Sequence, residues 1–196
     1  SSAWTYSHEL GRLHLNEVFP DDVTTVYYDS INSHNIEEAI DDAIANGCNV
    51  IFTTSPTFSQ ASLKAAIANP KITILNCSLH DPHTSMRTYY ARMHEAKFIM
   101  GAVAGSMAAH DKIVYIADYP IYGTIANINS FAQGVKMTNP RAKIHLLWSC
   151  LKDVDVEEQI KQLQPDCVSD KDLSVPEAGT RYYGLYMSYP DSIWNL

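Results

Sequence analysis

Apolar positions along the chain alternate between two spacings, one typical of helices and the other of strands. Asn35–Gly47 carries Ile36, Ile40 and Ile44 on one stripe, which predicts a helix that ends at Gly47. A second helix is predicted before Pro70, from "SQASLKAAIANP". Short apolar runs predict strands at Val23–Tyr28, Asn49–Thr54 and Ile72–Cys77. Strands that alternate with helices indicate a parallel sheet covered on both faces.

The same alternation restarts in the second half. A helical pattern runs from about Arg92 to His110, and its Gly101 and Gly105 are expected to permit close helix packing. Further strands are predicted at Lys112–Ala117, Lys143–Trp148, Asp166–Ser169 and Arg181–Met187, with helices at Ile125–Pro140 and Asp153–Leu163. We therefore predict an α/β protein of two similar lobes, residues 1–109 with the long helix and residues 110–196, with a cleft between them.

Both ends of the chain look incomplete for such a fold. A parallel α/β lobe usually begins with a strand, whereas this chain begins with the amphipathic helical pattern "SSAWTYSHELGRLHL". It stops at "SIWNL" without a closing element. We expect an excerpt of a longer protein, truncated at both ends.

Composition narrows the function classes. Hydrophobic residues make up 46% and charged residues 18% of the 196 residues, as in an ordinary soluble globular protein. The formal charge of −8 argues against a general affinity for nucleic acid or anionic membranes. No run approaches the roughly 20 apolar residues of a membrane span. The four cysteines lie in or beside strand-like runs without CxxC spacing, so buried reduced thiols are favoured over disulfides or a metal site.

In open α/β sheets, ligands bind beyond the carboxyl ends of the strands. The segments at that position are rich in hydroxyls, amides, carboxylates and aromatic rings, which suit a flat, hydroxylated ligand. The candidate ligand-binding residues are Trp4, Thr5, Tyr6, Ser55, Thr57, Phe58, Asn76, Ser78, Asp118, Tyr119, Tyr122, Trp148, Asp170, Asp172 and Asp191.

Each candidate also has a purely structural interpretation. A Ser or Thr at a helix start is more often an N-cap than a ligand contact. Capping does not need an aromatic ring, so the rings are the stronger signal. For Trp4 two interpretations stay open: a stacking platform for a ligand, or simple packing against a neighbouring loop.

The segments "EAKFIMGAVAG", "INSFAQGVKMTNPRAKI" and "WTYSHELGR" resemble the basic membrane protein family of substrate-binding proteins. The resemblance implies a type I periplasmic-binding fold, in which two Rossmann-like lobes with parallel sheets close about a hinge. It also implies capture of a purine nucleoside or nucleobase for an ABC permease, as a non-catalytic lipoprotein on the outer side of the plasma membrane. In such proteins an aromatic ring stacks on the base and carboxylates hold the ribose hydroxyls.

Carried over by position, the resemblance places Trp4 and Tyr6 at the first helix, Ser55 to Phe58 after the second strand and Asn76 and Ser78 after the third. Tyr119 to Tyr122 and Trp148 fall in the second lobe, where Asp170, Asp172 or Asp191 would hold the sugar. The chain departs from the family in having "SSAWTY" in place of an acidic residue and in lacking a C-terminal segment that supplies a ligand-facing Lys.

Two rival interpretations remain. The opening and "NPRAKIHLLWS" also look like a subset in which the domain is fused to another module, where it would be a cytoplasmic ligand sensor. An enzyme is disfavoured, because no nucleophile elbow, phosphate loop or dinucleotide fingerprint occurs. "HDPH" at His80–His83 lacks a third ligand at a recognisable spacing, so we predict neither a metal nor a cofactor.

Overall fold

The computed structural model describes residues 3–78, 83–173, 184–189 and 192–193. Helices and strands alternate along most of it. The helices are α1 (Ala3–Val18), α2 (Ile36–Ala45), α3 (Ser59–Ala68), α4 (Met93–Met107), α5 (Tyr122–Thr138) and α6 (Val156–Leu163). The strands are β1 (Val50–Thr53), β2 (Thr73–Cys77), β3 (Arg87–Tyr89), β4 (Lys112–Ala117), β5 (Lys143–Trp148), β6 (Cys167–Ser169), β7 (Leu185–Tyr189) and β8 (Ser192–Ile193).

The chain divides into two compact units, residues 1–91 and 92–196. The division lies between Ala91 and Arg92, so α4 belongs to the second unit. The sequence analysis placed this helix with the first lobe and the boundary at Ala109. The difference has a physical cause, because the glycines of α4 let its backbone pack directly on α5.

The first unit contains a three-stranded parallel sheet in the order β1-β2-β3. Ile36 and Ile40 of α2 pack with Phe58, Ala66 and Ile74 in the core on one face of this sheet. Those two isoleucines lie on the stripe predicted from the sequence. The apolar stripe of α2 therefore contributes to this core together with Ala66 of α3.

Val23–Tyr28 does not form the predicted strand. A strand needs a neighbour to complete its hydrogen bonds, and no described residue pairs with this segment. Side chains hold it instead: Arg12 donates to Thr25 Oγ1 at 2.7 Å, and the Tyr28 hydroxyl donates to Asp42 Oδ2 at 2.8 Å. Val26 is 55% exposed, so the segment buries little apolar surface.

The second unit contains a five-stranded sheet in the order β5-β4-β6-β7-β8. Strands β4 and β5 have the predicted residues at both ends, and β5, β4 and β6 are parallel. Strand β7 is antiparallel to β6, and β8 is antiparallel to β7, so the sheet is mixed. Its core contains Tyr115 and Phe131, whose rings meet edge to face at 5.1 Å.

Glycines bring α4 and α5 into backbone contact. A Cβ on Gly101 would overlap the carbonyl group of Phe131, and a Cβ on Gly134 would overlap that of Phe98. The sequence prediction of close helix packing at Gly101 and Gly105 is confirmed. Among the described residues, no helix combines the length and the apolarity that crossing a membrane requires.

We expect Gly101→Ala to lower the free energy of unfolding by about 1–3 kcal/mol, because the new methyl group forces the helices apart. Gly11→Ala is the matched control, since a Cβ on Gly11 of α1 meets no atom within 4 Å. It should be neutral or raise the stability by about 0.5–1 kcal/mol. Denaturant titration followed by circular dichroism measures both, and equal effects would contradict the packing argument.

Asp166 anchors the start of β4 to the start of β6. Its carboxylate accepts hydrogen bonds from the backbone N–H groups of His110 at 3.0 Å and Lys112 at 3.1 Å, and from the His110 ring at 2.7 Å. Burial opposes ionisation of Asp166, but these hydrogen bonds outweigh it and hold the pKa of the carboxyl below its usual value.

A lowered pKa means that Asp166 stabilises the fold above the ordinary carboxyl pKa of about 4 and loses this contribution as the pH falls below it. We expect Asp166→Asn to lower the free energy of unfolding by about 1–3 kcal/mol at pH 7. The difference from the wild type should shrink as the pH is lowered. Denaturant titrations between pH 3 and pH 7 measure it. Asp153→Asn, an exposed carboxylate, is the control and should change little at any pH.

Candidate ligand-binding site

The carboxyl ends of the parallel strands define one candidate edge in each unit. In the first unit, the segments after Thr53, Cys77 and Tyr89 form what we term the first edge. In the second unit, the segments after Ala117, Trp148 and Ser169 form the second edge. Most of the predicted residues lie in these segments, because parallel strands bring all their carboxyl ends to one side.

Trp4 lies at the first edge. Its indole N–H donates to the Thr54 carbonyl oxygen at 2.6 Å, directly after β1. Its ring centroid lies 5.3 Å from that of His8 and 5.9 Å from that of Tyr90. Trp4 thus packs against a neighbouring loop and is held rigidly, and it is only half-buried. Both interpretations of Trp4 from the sequence remain compatible with this position. Thr5 and Tyr6, which follow it in α1, are also half-buried.

Aromatic residues that the sequence analysis missed complete this edge. Tyr89 ends β3, and its ring lies 6.0 Å from that of His8 and 5.8 Å from that of Phe52. Tyr90 follows it and contacts Trp4. The available signal was the β-branched and aromatic run "TYY" at 88–90, which is short for a strand and was not predicted as one.

The loop after β1 serves the fold at two of the predicted positions. Ser55 caps the short 3₁₀ turn Pro56–Phe58: its hydroxyl accepts from the Thr57 backbone N–H at 3.3 Å and bonds the Thr57 hydroxyl at 2.8 Å. Phe58 was predicted to face a ligand, but its side chain is 9% exposed and packs in the core with Ile36 and Ile40. The ring therefore belongs to the core of the first unit, and its contact with a ligand stays a prediction.

Asn76 is buried at the end of β2, and its amide orientation is determined by its neighbours. Its Nδ2 donates to the Ser55 carbonyl oxygen at 2.9 Å, an atom that can only accept, and to Thr53 Oγ1 at 2.8 Å. Thr53 and Ser62 share a hydrogen bond of 2.8 Å, and Ser62 donates to the Phe58 carbonyl at 2.7 Å. The chain of donors therefore runs from Asn76 towards α3. Asn76 Oδ1 is left as a pure acceptor.

Three buried polar atoms at the first edge have no hydrogen-bond partner in the part of the chain that the structure describes. They are Asn76 Oδ1, Ser78 Oγ and the Tyr89 hydroxyl oxygen, which has only the Cys77 thiol, a weak hydrogen-bonding group, beside it. Leaving a buried donor or acceptor unpaired costs about 1–3 kcal/mol, so native proteins rarely do so. Asn76 and Tyr89 point to opposite faces of the sheet, because Tyr89 is in register with Cys77, the residue after Asn76. A water or a ligand would therefore complete the hydrogen bonding of each atom separately.

Burial keeps the Tyr89 phenol and the Cys77 and Cys167 thiols in their neutral forms. It raises the pKa of Tyr89 far above its ordinary value and raises that of the Cys77 thiol beside it. In the second unit burial raises the pKa of Cys167 to about 11. All four cysteines are free, with Cys77 and Cys167 buried and Cys48 and Cys150 half-buried. The Tyr89 hydroxyl is thus available as a neutral donor or acceptor.

At the second edge, Asp118 follows β4 and accepts a hydrogen bond from the Ser149 hydroxyl at 2.7 Å. Tyr119, next along the chain, is 64% exposed. Trp148 ends β5 and packs, half-buried, against the core cluster of Tyr115. Tyr122 begins α5. Among the side chains that the structure describes, this edge offers the exposed Tyr119 ring next to the hydrogen-bonded Asp118 carboxylate.

Asp172 forms an internal ion pair, although the sequence analysis proposed it for a sugar. Its Oδ1 lies 3.0 Å from Lys97 Nζ and accepts from the Tyr115 hydroxyl at 2.9 Å, and its Oδ2 accepts from Asn127 Nδ2 at 2.6 Å. Lys97 and Asn127 were not predicted. Nothing in the sequence marks a helical lysine as buried, because lysine is usually exposed. Asp191 lies outside the described residues, as do His80 and Pro82 of the "HDPH" segment.

No group of three or more metal-ligating side chains comes together in the described residues. The aromatic and hydrogen-bonding groups above suit reversible binding of an organic solute. Residues 1–160 match the family described as ABC transporter substrate-binding protein PnrA-like, or Bmp. The chain belongs to the Bmp family. This is a family of non-catalytic substrate-binding proteins, so the resemblance seen in the sequence is confirmed.

The names of two relatives of this Bmp chain refer to different solutes. It is 27% identical to a purine-binding protein of Brucella abortus over 146 residues, which are 74% of this chain and 42% of the relative. It is 23% identical to a protein of Haloferax volcanii named as a glucose-binding protein of an ABC transporter, over 74% of this chain and 37% of the relative. The Bmp chain thus spans less than half the length of these relatives.

Solved structures share the Bmp chain's fold. A solute-binding protein of an ABC transporter system from Conexibacter woesei superposes with a TM-score of 0.58 at 16% identity, over 77% of this chain and 53% of that one. A transcriptional activator of the comK gene from Bacillus halodurans gives 0.61 at 17% identity, over 74% and 50%. These likenesses show the periplasmic-binding-protein-like α/β fold.

Proposed function

We propose that this Bmp-family chain binds a purine nucleoside or nucleobase for uptake through an ABC permease. The observation that carries the proposal is the first edge. There the Trp4–Tyr90 ring pair lies beside the segment that follows β1, and the buried Asn76 Oδ1 and Ser78 Oγ have no hydrogen-bond partner among the described residues. A purine presents a flat aromatic face together with N–H donors and ring-nitrogen acceptors. The similarity to the purine-binding protein of Brucella abortus supports this ligand class.

The aromatic rings and the buried polar atoms would make different contributions to the binding free energy. An aromatic contact adds about 0.5–1.5 kcal/mol beyond the area that it buries. Asn76 Oδ1 accepts but has no donor among the described residues, so a ligand N–H or O–H would complete its hydrogen bonding. The cost of that buried acceptor would then be recovered only in the bound state, which would favour ligands that carry a donor there.

A second role uses the same ligand chemistry. As a domain fused to a regulatory module, the chain would sense the solute instead of delivering it. The likeness to a transcriptional activator concerns the fold alone and does not favour this role. The interlobe cleft expected from the sequence stays a prediction for both roles.

A thermal-shift screen tests the ligand class. We expect adenosine, inosine, guanosine or their free bases to raise the unfolding temperature, because a ligand at 100 times its Kd adds about 2.7 kcal/mol to the stability. Glucose and amino acids should leave it unchanged. Stabilisation by glucose alone, in line with the Haloferax volcanii relative, would overturn the purine proposal.

Replacing Asn76 tests the first edge itself. Asn76→Ala should weaken purine binding about tenfold, because it removes Oδ1, the acceptor that has no donor among the described residues. Ser62→Ala is the matched control: it interrupts the same chain at 0% exposure and leaves Asn76 Oδ1 in place. Both variants should lose stability, and calorimetric titration well below their unfolding temperatures compares affinities. An equal loss of affinity in the two variants would remove Asn76 from the site.

A further inference from the structure

Lys97 is a buried cation that the proposed function does not use. It lies on α4 and is 4% exposed. Its Nζ is 3.0 Å from Asp172 Oδ1, and the side chain of Asp172 is 11% exposed. A buried charge is tolerated only when it is paired and hydrogen-bonded. The position of each charged group therefore depends on the other.

The contacts of this ammonium group converge on one turn. Besides Asp172, Lys97 Nζ donates to the Ser169 hydroxyl at 3.3 Å and to the Asp170 carbonyl oxygen at 3.5 Å. The Tyr115 ring lies beneath it, with 5.2 Å between Nζ and the ring centroid. Ser169 ends β6, and Asp170 and Asp172 follow it. One side chain thus holds three residues of the segment that leaves β6 at the second edge.

The two carboxylates of this turn differ in what they already bind. Both oxygens of Asp172 accept hydrogen bonds from side chains, those of Lys97, Tyr115 and Asn127. Burial and then the charge of Asp172 raise the pKa of Tyr115, so its hydroxyl stays protonated and donates. Asp170 is half-buried. The one donor to its carboxylate recorded within the described residues is the backbone N–H of the adjacent Lys171, at 2.7 Å.

We propose that Lys97 is a positioning residue: it holds the Asp170–Asp172 turn through Asp172 and so presents the Asp170 carboxylate to ligand hydroxyl groups at the second edge. The assignment of a hydroxylated ligand, such as a ribose, rests on the proposed function. The assignment of the turn to Lys97 does not. Asp172 is the counter-ion in this arrangement and does not contact the ligand.

Lys97 can influence the position of Asp170 because a buried carboxylate without a partner, here that of Asp172, is costly. If Lys97 is replaced by an apolar residue, Asp172 loses its cation while its carboxyl group remains buried. The turn must then move to let water reach it, and Asp170 moves with it because it lies two residues away. The amide of Asp170 reports this movement, since its N–H donates to the Gly184 carbonyl at 2.9 Å.

Hydrogen exchange of the unliganded protein tests the positioning role. In Lys97→Met, the Asp170 amide should exchange about tenfold faster or more, while amides of β4 and β5 keep their protection. Lys97→Arg should restore most of the protection, and Lys152→Met, which removes an exposed lysine, should change nothing. Unchanged exchange at Asp170, or an equal loss of protection in β4 and β5, would overturn the positioning role.

Calorimetric titration with adenosine and adenine tests which carboxylate contacts the ligand. Asp170→Asn should weaken adenosine binding about tenfold or more, leave adenine binding unchanged and keep the unfolding temperature. Asp172→Asn should lower the unfolding temperature. Lys97→Met should reduce the preference for adenosine over adenine, and Lys97→Arg should recover it.

An unchanged preference for adenosine in Asp170→Asn would overturn the assignment of Asp170. If the wild type binds no purine, the proposed function fails, and the exchange experiment still decides the role of Lys97.

Discussion

A polar group buried by folding loses its water, and the structure depends on whether the protein supplies a replacement. In the second unit it does so thoroughly. Asp166 is surrounded by the N–H groups and ring of His110 and by Lys112, and Asp172 receives donors from Lys97, Tyr115 and Asn127. These carboxylates tie the strands and helices of that unit together. At the first edge, no described residue supplies a hydrogen-bond partner for Asn76 Oδ1 or Ser78 Oγ, and this contrast makes the first edge a candidate site.

The second constraint is the close contact of α4 and α5. Gly101 and Gly134 have no room for a Cβ, so the two helices meet through their backbones. This contact assigns α4 to the second unit and brings Lys97 beside the turn after β6. Helix packing and the buried ion pair are thus connected. The glycines of α4 determine where this helix lies, and Lys97 on α4 pairs with Asp172 in the turn at the second edge.

Family membership and geometry answer different questions about function. The Bmp match establishes a substrate-binding family without catalysis, while the relatives carry names that refer to both purine and glucose. The ligand class therefore has to be inferred from the residues of the first edge and the second edge. The ring contacts around Trp4 support the proposal of a flat ligand, whereas Asn76 Oδ1, which has no donor among the described residues, suits any ligand with an N–H or O–H group.

Local patterns in the sequence determined much of the architecture. The stripe of α2 and the ends of β4 and β5 follow from residue spacing, because a helix or a buried strand has a fixed period. Gly101 and Gly105 of α4 also indicated the close helix packing that the structure shows. Long-range contacts decided the rest. Val23–Tyr28 has strand-like residues but no pairing neighbour, and Phe58 looked like a ligand contact but fills a core. Lys97 and Asp172, 75 positions apart in the sequence, became partners only through tertiary packing, which no local period encodes.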